Sequence, residues 1–466
     1  MDDREHDDFA GRPNDDALNE LQRMLNEMLS GQASNGIDPA TLAQAAGLPG
    51  DPAALQGLFA TLQQAMQNPS GEIDWSIARR IAIDVASQGT PAADPSVAQR
   101  SFPVASLWLD EATEVGTTSD APRTLTRVEW VQQTIDTWIG LSEPVAESIA
   151  HALTDALSSQ LPEQLASTLG GLGPMLRSVG GALFATQLGQ IIGKLANEVS
   201  AGGDVGIPLF EGQGREGGAL IPSGVAAFAD GLEQDAEAVT LYLAVRELAH
   251  ARLFRHTRWL RLHLISAITD FARGMSLDTM RIDELARDID PSDTHAMQQL
   301  VSSGALIPPK TPAQEAALER LETMLALIEG WVDAVTETAV SRLPGSEAIA
   351  EMVRRRRAVG GPAEHAFSTL VGLELRPRKM REAAAVWRLL AERGGIGRRD
   401  ALWAHPDLLP TTEELAHPAR LLERVGLDGA TPSAEPADDF DRALAELLDG
   451  GSEEQTPPDP LQPPPV

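Results

Sequence analysis

Residues Glu237–Leu264 read EAVTLYLAVRELAHARLFRHTRWLRLHL, and their centre, Arg246-Glu247-Leu248-Ala249-His250, is one letter away from the zinc-binding helix word H-E-x-x-H. In that word the side chains at i and i+4 stand one above the other on the same helix face. Two imidazoles there share one Zn²⁺, and the Glu at i+1 polarises the zinc-bound water. Glu247 and His250 keep the base and second-ligand positions. Arg246 takes the first, and a guanidinium is permanently charged with no lone pair to give. The chain carries the frame of a metal-site helix with one ligand replaced by a fixed positive charge.

Helix formers dominate Glu237–Leu253, with no Gly or Pro among them. Leu241, Val245, Leu248 and Arg252 fall on one stripe, and Leu243, Arg246, Glu247 and His250 on another. Apolar residues on both stripes predict burial on more than one side, and charged residues in such a helix need partners. A structural buried ion pair with a satisfied histidine and a functional site both meet that need. His256 lies off the face of His250 and is a poor ligand unless the helix ends before it.

On the N-terminal side, Ala201–Gly224 (AGGDVGIPLFEGQGREGGALIPSG) predicts a loop with one or two short strands at Ile207–Phe210 and Ala219–Ile221. It reads either as a surface loop or as an edge strand lining a cleft beside the motif helix, where a peptide could add as a strand. On the C-terminal side, Pro312–Leu343 predicts one long helix with Leu318, Leu321, Leu325, Ile328 and Val332 on an apolar face. Glu329 and Asp333 lie one turn apart inside that stretch, and a carboxylate so placed wants a metal, an arginine or a histidine. Gly330 permits close backbone approach.

Farther out the pattern stays helical. Gly181, Ala185, Gly189 and Gly193 make one smooth face, which predicts a tight crossing, with the Arg246 helix as candidate partner. Helices are expected at Ile73–Ala86, with Trp75, Ile77, Ile81 and Val85 inward, and at Ser96–Thr113, Thr124–Gly140 and Val145–Leu157. Trp130 and Trp138 read as core, and no strand is evident through Leu157. Beyond the motif come Ile265–Met275, Asp278–Asp290, Asp293–Ser302, Ala363–Arg378, Lys379–Arg393, Arg398–Leu402 and Thr411–Val425. Arg354–Arg357 reads as a solvated helix face rather than a phosphate site.

Composition sets outer limits. The 466 residues hold 37 Lys and Arg against 68 Asp and Glu, a formal charge of −31 that argues against nucleic-acid partners. With no cysteine there are no disulfides, thiolate–zinc sites or thiol catalysis, which suits a reducing cytosol. The N-terminal MDDREHDDFAGRPNDD is not a basic-then-apolar leader, and the most apolar run, Ser178–Gly193, is too short to span a bilayer. A cytoplasmic protein without membrane insertion is the expectation. Three regions are expected: an acidic tail with short helices at 1–72 (Ala17–Leu29 and Pro52–Met66), a helical domain at 73–428, and a Pro-rich acidic disordered tail at 429–466 broken by Asp438–Leu448.

Several stretches together resemble an actinobacterial zincin-like metallopeptidase family whose relatives are associated with deazaflavin coenzyme biosynthesis. They are DWSIARRIA at 74–82, VGIPLF at Val205–Phe210, VRELAHARLFRHTRWLRLHL at Val245–Leu264, LALIEGWVD at Leu325–Asp333, LVGLELRPRKMRE at Leu370–Glu382 and RRDALWAHPDLLPT at Arg398–Thr411. The resemblance spans about Ile73 to Arg424 and implies a mainly α fold with a small β element beside the motif helix. It also implies hydrolase chemistry with Glu247 as general base, His250 as a zinc ligand and Glu329 as the downstream carboxylate ligand. Arg246 departs from the family pattern at the first ligand.

Three functions follow as expectations. One is a metal-deficient pseudo-enzyme or binding protein in which Arg246 supplies the missing positive charge and bridges Glu329 or Glu247. A second is an active zinc hydrolase with a shifted ligand set of His250, Glu329 and one of His256, Asp333 or Glu247. The third is a helical interaction scaffold for a peptide or protein partner.

Overall fold

The computed structural model describes residues 72–89, 93–159, 172–273 apart from 211 and 213, 311–358, 368 and 379–428. The helices expected at Ala17–Leu29, Pro52–Met66, Asp278–Asp290, Asp293–Ser302 and Asp438–Leu448, and nearly all of Ala363–Arg378, lie outside them. The chain divides into two compact units after Ala384.

The first unit is mainly α. In chain order it holds α1 (Ser76–Ser87), α2 (Ser96–Ala112), β1 (Arg123–Thr124), α3 (Arg127–Ser159), α4 (Leu172–Glu198), a 3-10 turn (Gly202–Val205), β2 (Ala219–Leu220), α5 (Pro222–Asp230), α6 (Ala236–His256), α7 (Arg258–Arg273), α8 (Pro312–Ala339) and α9 (Ser346–Ala358). Helix α10 (Met380–Ala401) begins in this unit and is interrupted in the second at Gly395 (φ 79°, ψ 166°), between the expected helices Lys379–Arg393 and Arg398–Leu402. Among the described residues no helix is long and apolar enough to cross a membrane.

Helix α6 is the element around which the unit is assembled. Asp235 caps it by accepting from the Ala238 N–H at 3.0 Å. It packs against α2, α5, α7, α8, α9, β2 and the 3-10 turn. Every residue from Tyr242 to His250 is buried, the signature of a helix enclosed on all sides. Helix α8 starts at a capping box, in which Thr311 accepts from Gln314 N–H and Gln314 reaches back to Thr311 N–H, with Pro312 at the first helical position. Through Ala326–Trp331 it too is buried all round.

The smooth face of α4 packs against α1, not against α6, which corrects the partner inferred from sequence. A Cβ at Gly189 would lie 2.7 Å from the Ala78 carbonyl oxygen, and one at Gly193 would lie 2.5 Å from Val85 Cβ. The small residues on α4 therefore receive Ile81 and Val85 of α1.

The β element is smaller than expected and partly elsewhere. Ile207–Phe210 forms no strand, and β2 pairs in parallel with β1, a strand with no signal in its sequence (Arg123↔Ala219, Thr124↔Leu220). On its other edge Leu220 forms an antiparallel bridge to Ala201, and Ile221 N–H donates to the Ser200 carbonyl at 2.8 Å. With both edges occupied and Ala219 and Leu220 fully buried, β2 is no open edge for a peptide to extend.

Other boundaries moved for local reasons. The expected pair Thr124–Gly140 and Val145–Leu157 is one helix, α3, because Pro144 is accommodated inside it. In the second unit Trp387 and Trp403 stack at 5.3 Å. There Pro418 divides the expected Thr411–Val425 helix into α11 (Thr412–Ala416) and α12 (Pro418–Arg424).

Candidate functional site

Glu247, His250, Arg246 and Glu329 meet in the interior, the first three from α6 and the last from α8. Arg246 is 4% exposed, His250 3% and Glu329 1%. The Arg246 guanidinium donates through Nη2 to Glu329 Oε2. His250 Nε2 lies 3.2 Å from Glu329 Oε1, and its Nδ1 lies 3.2 Å from the Arg246 carbonyl oxygen. A second guanidinium, Arg357 on α9, sits 3.1 Å from Glu329 Oε1 and donates to the Gly203 carbonyl at 3.2 Å.

Glu329 is thus bracketed by two guanidiniums and an imidazole. Burial pushes its carboxyl up, but Arg357, Arg246 and His250 together outweigh burial and hold it well below the usual carboxylate range. Burial pushes His250 down, and Arg246 and Arg357 add to that against the pull of Glu329. Both ring nitrogens face acceptors, so a neutral ring donates to either the Glu329 carboxylate or the Arg246 carbonyl, and only a protonated ring donates to both.

Glu247 is held differently. Its Oε1 accepts from Ala219 N–H at 2.8 Å and its Oε2 from Gly203 N–H at 2.7 Å. Burial pushes its carboxyl up to about 8 against those two donors. The backbone at Gly203 comes so close that a Cβ there would lie 2.9 Å from Glu247 Oε2 and 3.0 Å from the His250 ring. Only glycine lets the 3-10 turn deliver its N–H to the carboxylate.

The other sequence candidates are placed apart. Asp333, 2% exposed, is paired with Arg354 of α9 (2.9 Å from Nη2, 3.1 and 3.2 Å from Nε) rather than joined to Glu329. His256 is the exposed last residue of α6, outside the buried cluster.

Arg354–Arg357, read from sequence as a solvated face, is not one. Arg354 takes Asp333, Arg355 takes Glu351 at 2.8 Å, Arg356 donates to the Glu198 carbonyl, and Arg357 enters the site. The signal was present: successive helical residues point about 100° apart, so four in a row cannot share one face.

A cleft of about 80 Å³ opens beside Glu247 and His250. Ile207, Pro208, Leu209, Phe210 and Phe254 give it apolar walls, and Arg215 and Arg255 belong to its lining.

The residues present do not fit the zinc ion that H-E-x-x-H would hold. His250 and Glu329 are the two donors that converge, Arg246 fills the third position, and Arg246 and Arg357 already neutralise the carboxylate. Among the described residues no group of three His, Cys, Asp or Glu side chains could hold a metal. A dication beside two guanidiniums would be repelled by both.

Residues 73–422 match the model of a family described as zincin-like metallopeptidase. A solved chain from Chloroflexus aurantiacus, described as "a putative hydrolase with a novel fold", is 19% identical with a TM-score of 0.52, over 76% of this chain and 99% of that one. At that identity the likeness concerns the fold alone. No curated protein matches the chain.

Proposed function

This chain belongs to the zincin-like metallopeptidase family, and we propose that it is a metal-independent member that binds a peptide or protein segment in place of hydrolysing one. The observation that carries this reading is the saturation of Glu329: Arg246 holds Oε2, and Arg357 and His250 hold Oε1. The guanidinium at the first ligand position supplies the positive charge a metal would bring, and does so permanently. Glu247, at the base position, is tied through both oxygens to backbone N–H groups and serves to fix the 3-10 turn and β2 against α6.

The cleft beside them remains. Its apolar walls suit one or two apolar side chains, and Arg215 favours an acidic residue beside them, Arg255 being paired with Glu216 of the same lining at 2.7 Å. No chemistry is required of the site for this role; the shape and lining of the cleft are sufficient.

Zinc per chain, measured by plasma mass spectrometry on protein purified without chelator, should stay far below one equivalent. His250→Ala should leave that value unchanged. Close to one equivalent, lost in His250→Ala, together with chelator-sensitive cleavage of an unfolded protein substrate, would refute the proposal. On the binding side, fluorescent acidic-apolar peptides selected from a random library should lose affinity for Phe254→Asp; equal affinity for both proteins removes the cleft from the account.

A further inference from the structure

A second cavity, of about 30 Å³, shares no lining residue with the cleft. We propose that it is a binding site for a small oxyanion, the carboxylate or phosphate group of a soluble ligand. Its polar lining is Arg246, Arg356, Arg357, Ser200 and Asp204, so three guanidiniums face one carboxylate.

Arg246 gives the clearest sign of a missing partner. Its Nη2 is engaged by Glu329, but its Nη1 is buried with no hydrogen-bond partner among the described residues. A guanidinium N–H withdrawn from water without an acceptor is costly, and an oxyanion in the adjoining cavity would remove that cost.

Asp204 does not fill this role. Its Oδ2 already accepts from Ser200 N at 2.6 Å, Ser200 Oγ at 2.5 Å and Ala201 N at 3.2 Å. Burial pushes its carboxyl up, and Arg356, Arg357 and the Ser200 hydrogen bonds outweigh burial and keep it ionised. With Glu329 paired to Arg246 and Arg357 from the other side, two negative charges stand against three positive ones, and the surplus of one favours an anion.

The guanidiniums are held in place without any ligand. Arg356 lies over the Phe228 ring, 5.7 Å from its centroid, and donates to the Glu198 carbonyl; Arg357 is fixed by Glu329 and the Gly203 carbonyl. Such preorganisation reduces the ordering cost of binding. The volume admits a head group of a few atoms and leaves the rest of the ligand outside. The inference does not depend on what enters the cleft.

The test is titration calorimetry of the full chain with sodium phosphate and, separately, sodium acetate, at ionic strength held constant with sodium chloride. One saturable site is expected, with a dissociation constant on the order of 1 mM. The tighter of the two anions identifies the head group. Arg246→Gln could unfold the protein by stranding Glu329, so the variant to use is Arg356→Gln, which lies outside the Glu329 contacts. It should weaken binding about tenfold, read together with an unchanged circular dichroism spectrum. Failure of both anions to saturate, or equal affinity in folded Arg356→Gln, overturns the site and leaves an ordered water as the occupant.

Discussion

Two regions of the first unit bring backbone and side chains unusually close, by opposite means. Along α1 and α4, Gly189 and Gly193 remove side chains so that Ile81 and Val85 can enter. Around α6, Gly202 and Gly203 remove side chains so that backbone can approach Glu247 and His250. The first contact is held by dispersion and apolar burial, which are non-directional and spread over many atoms. The second is held by a few charged groups, each of which is expensive if left alone. Loss of one group should therefore be graded in the seam and severe in the cluster.

The sharpest attempt to break this contrast is Glu329→Gln, which takes from Arg246 and Arg357 the buried carboxylate that both touch. A loss of about 3–5 kcal/mol is expected from urea unfolding, partly recovered when Arg246→Met is added. A loss below about 1 kcal/mol would mean that water already compensates the cluster. In the seam, Gly189→Ala places a methyl against the Ala78 carbonyl, which as backbone cannot step aside. Overpacking of this kind should cost about 1–3 kcal/mol and leave the chemistry of α6 untouched, as seen by unfolding and by unchanged peptide binding.

The smallest effect is a pH slope. Glu247 has its pKa raised in the fold to about 8. The native state therefore holds that proton more tightly than the unfolded chain, whose glutamate titrates near ~4.3. Its contribution is complete below the unfolded value and is lost as pH rises through the folded one. The stability of wild type relative to Glu247→Gln should fall by about 1 kcal/mol from pH 6 to pH 7. A flat difference would show that the N–H groups of Gly203 and Ala219 keep this carboxylate ionised throughout.

Much of the fold was legible residue by residue. The 3.6 periodicity around Glu237–Leu253 and Pro312–Leu343, the missing helix breakers and the Trp130/Trp138 pair predicted elements that the fold contains, with both tryptophans fully buried. The match of residues 73–422 agrees with the span inferred from quoted motifs. The two-residue β1 was not legible, since a strand of that length has no periodicity to detect. The smooth face on α4 announced a close crossing but carried no address for its partner. Arg354–Arg357 was misread because only counting the charges, without following their directions around the helix, suggested a solvated face.

The chain's own letters determined that a buried helix would present Arg246, Glu247 and His250, and that Glu329 on another buried helix would need a cation. Both follow from local rules, since helical spacing repeats every few residues and a buried charge must be answered. Which cation answered was decided only in three dimensions. Arg246 and Glu329 are 83 positions apart, and Arg357 and Gly203 are 154 apart. No short-range pattern links residues so distant; the crossing of α6, α8 and α9 brings them within hydrogen-bond reach.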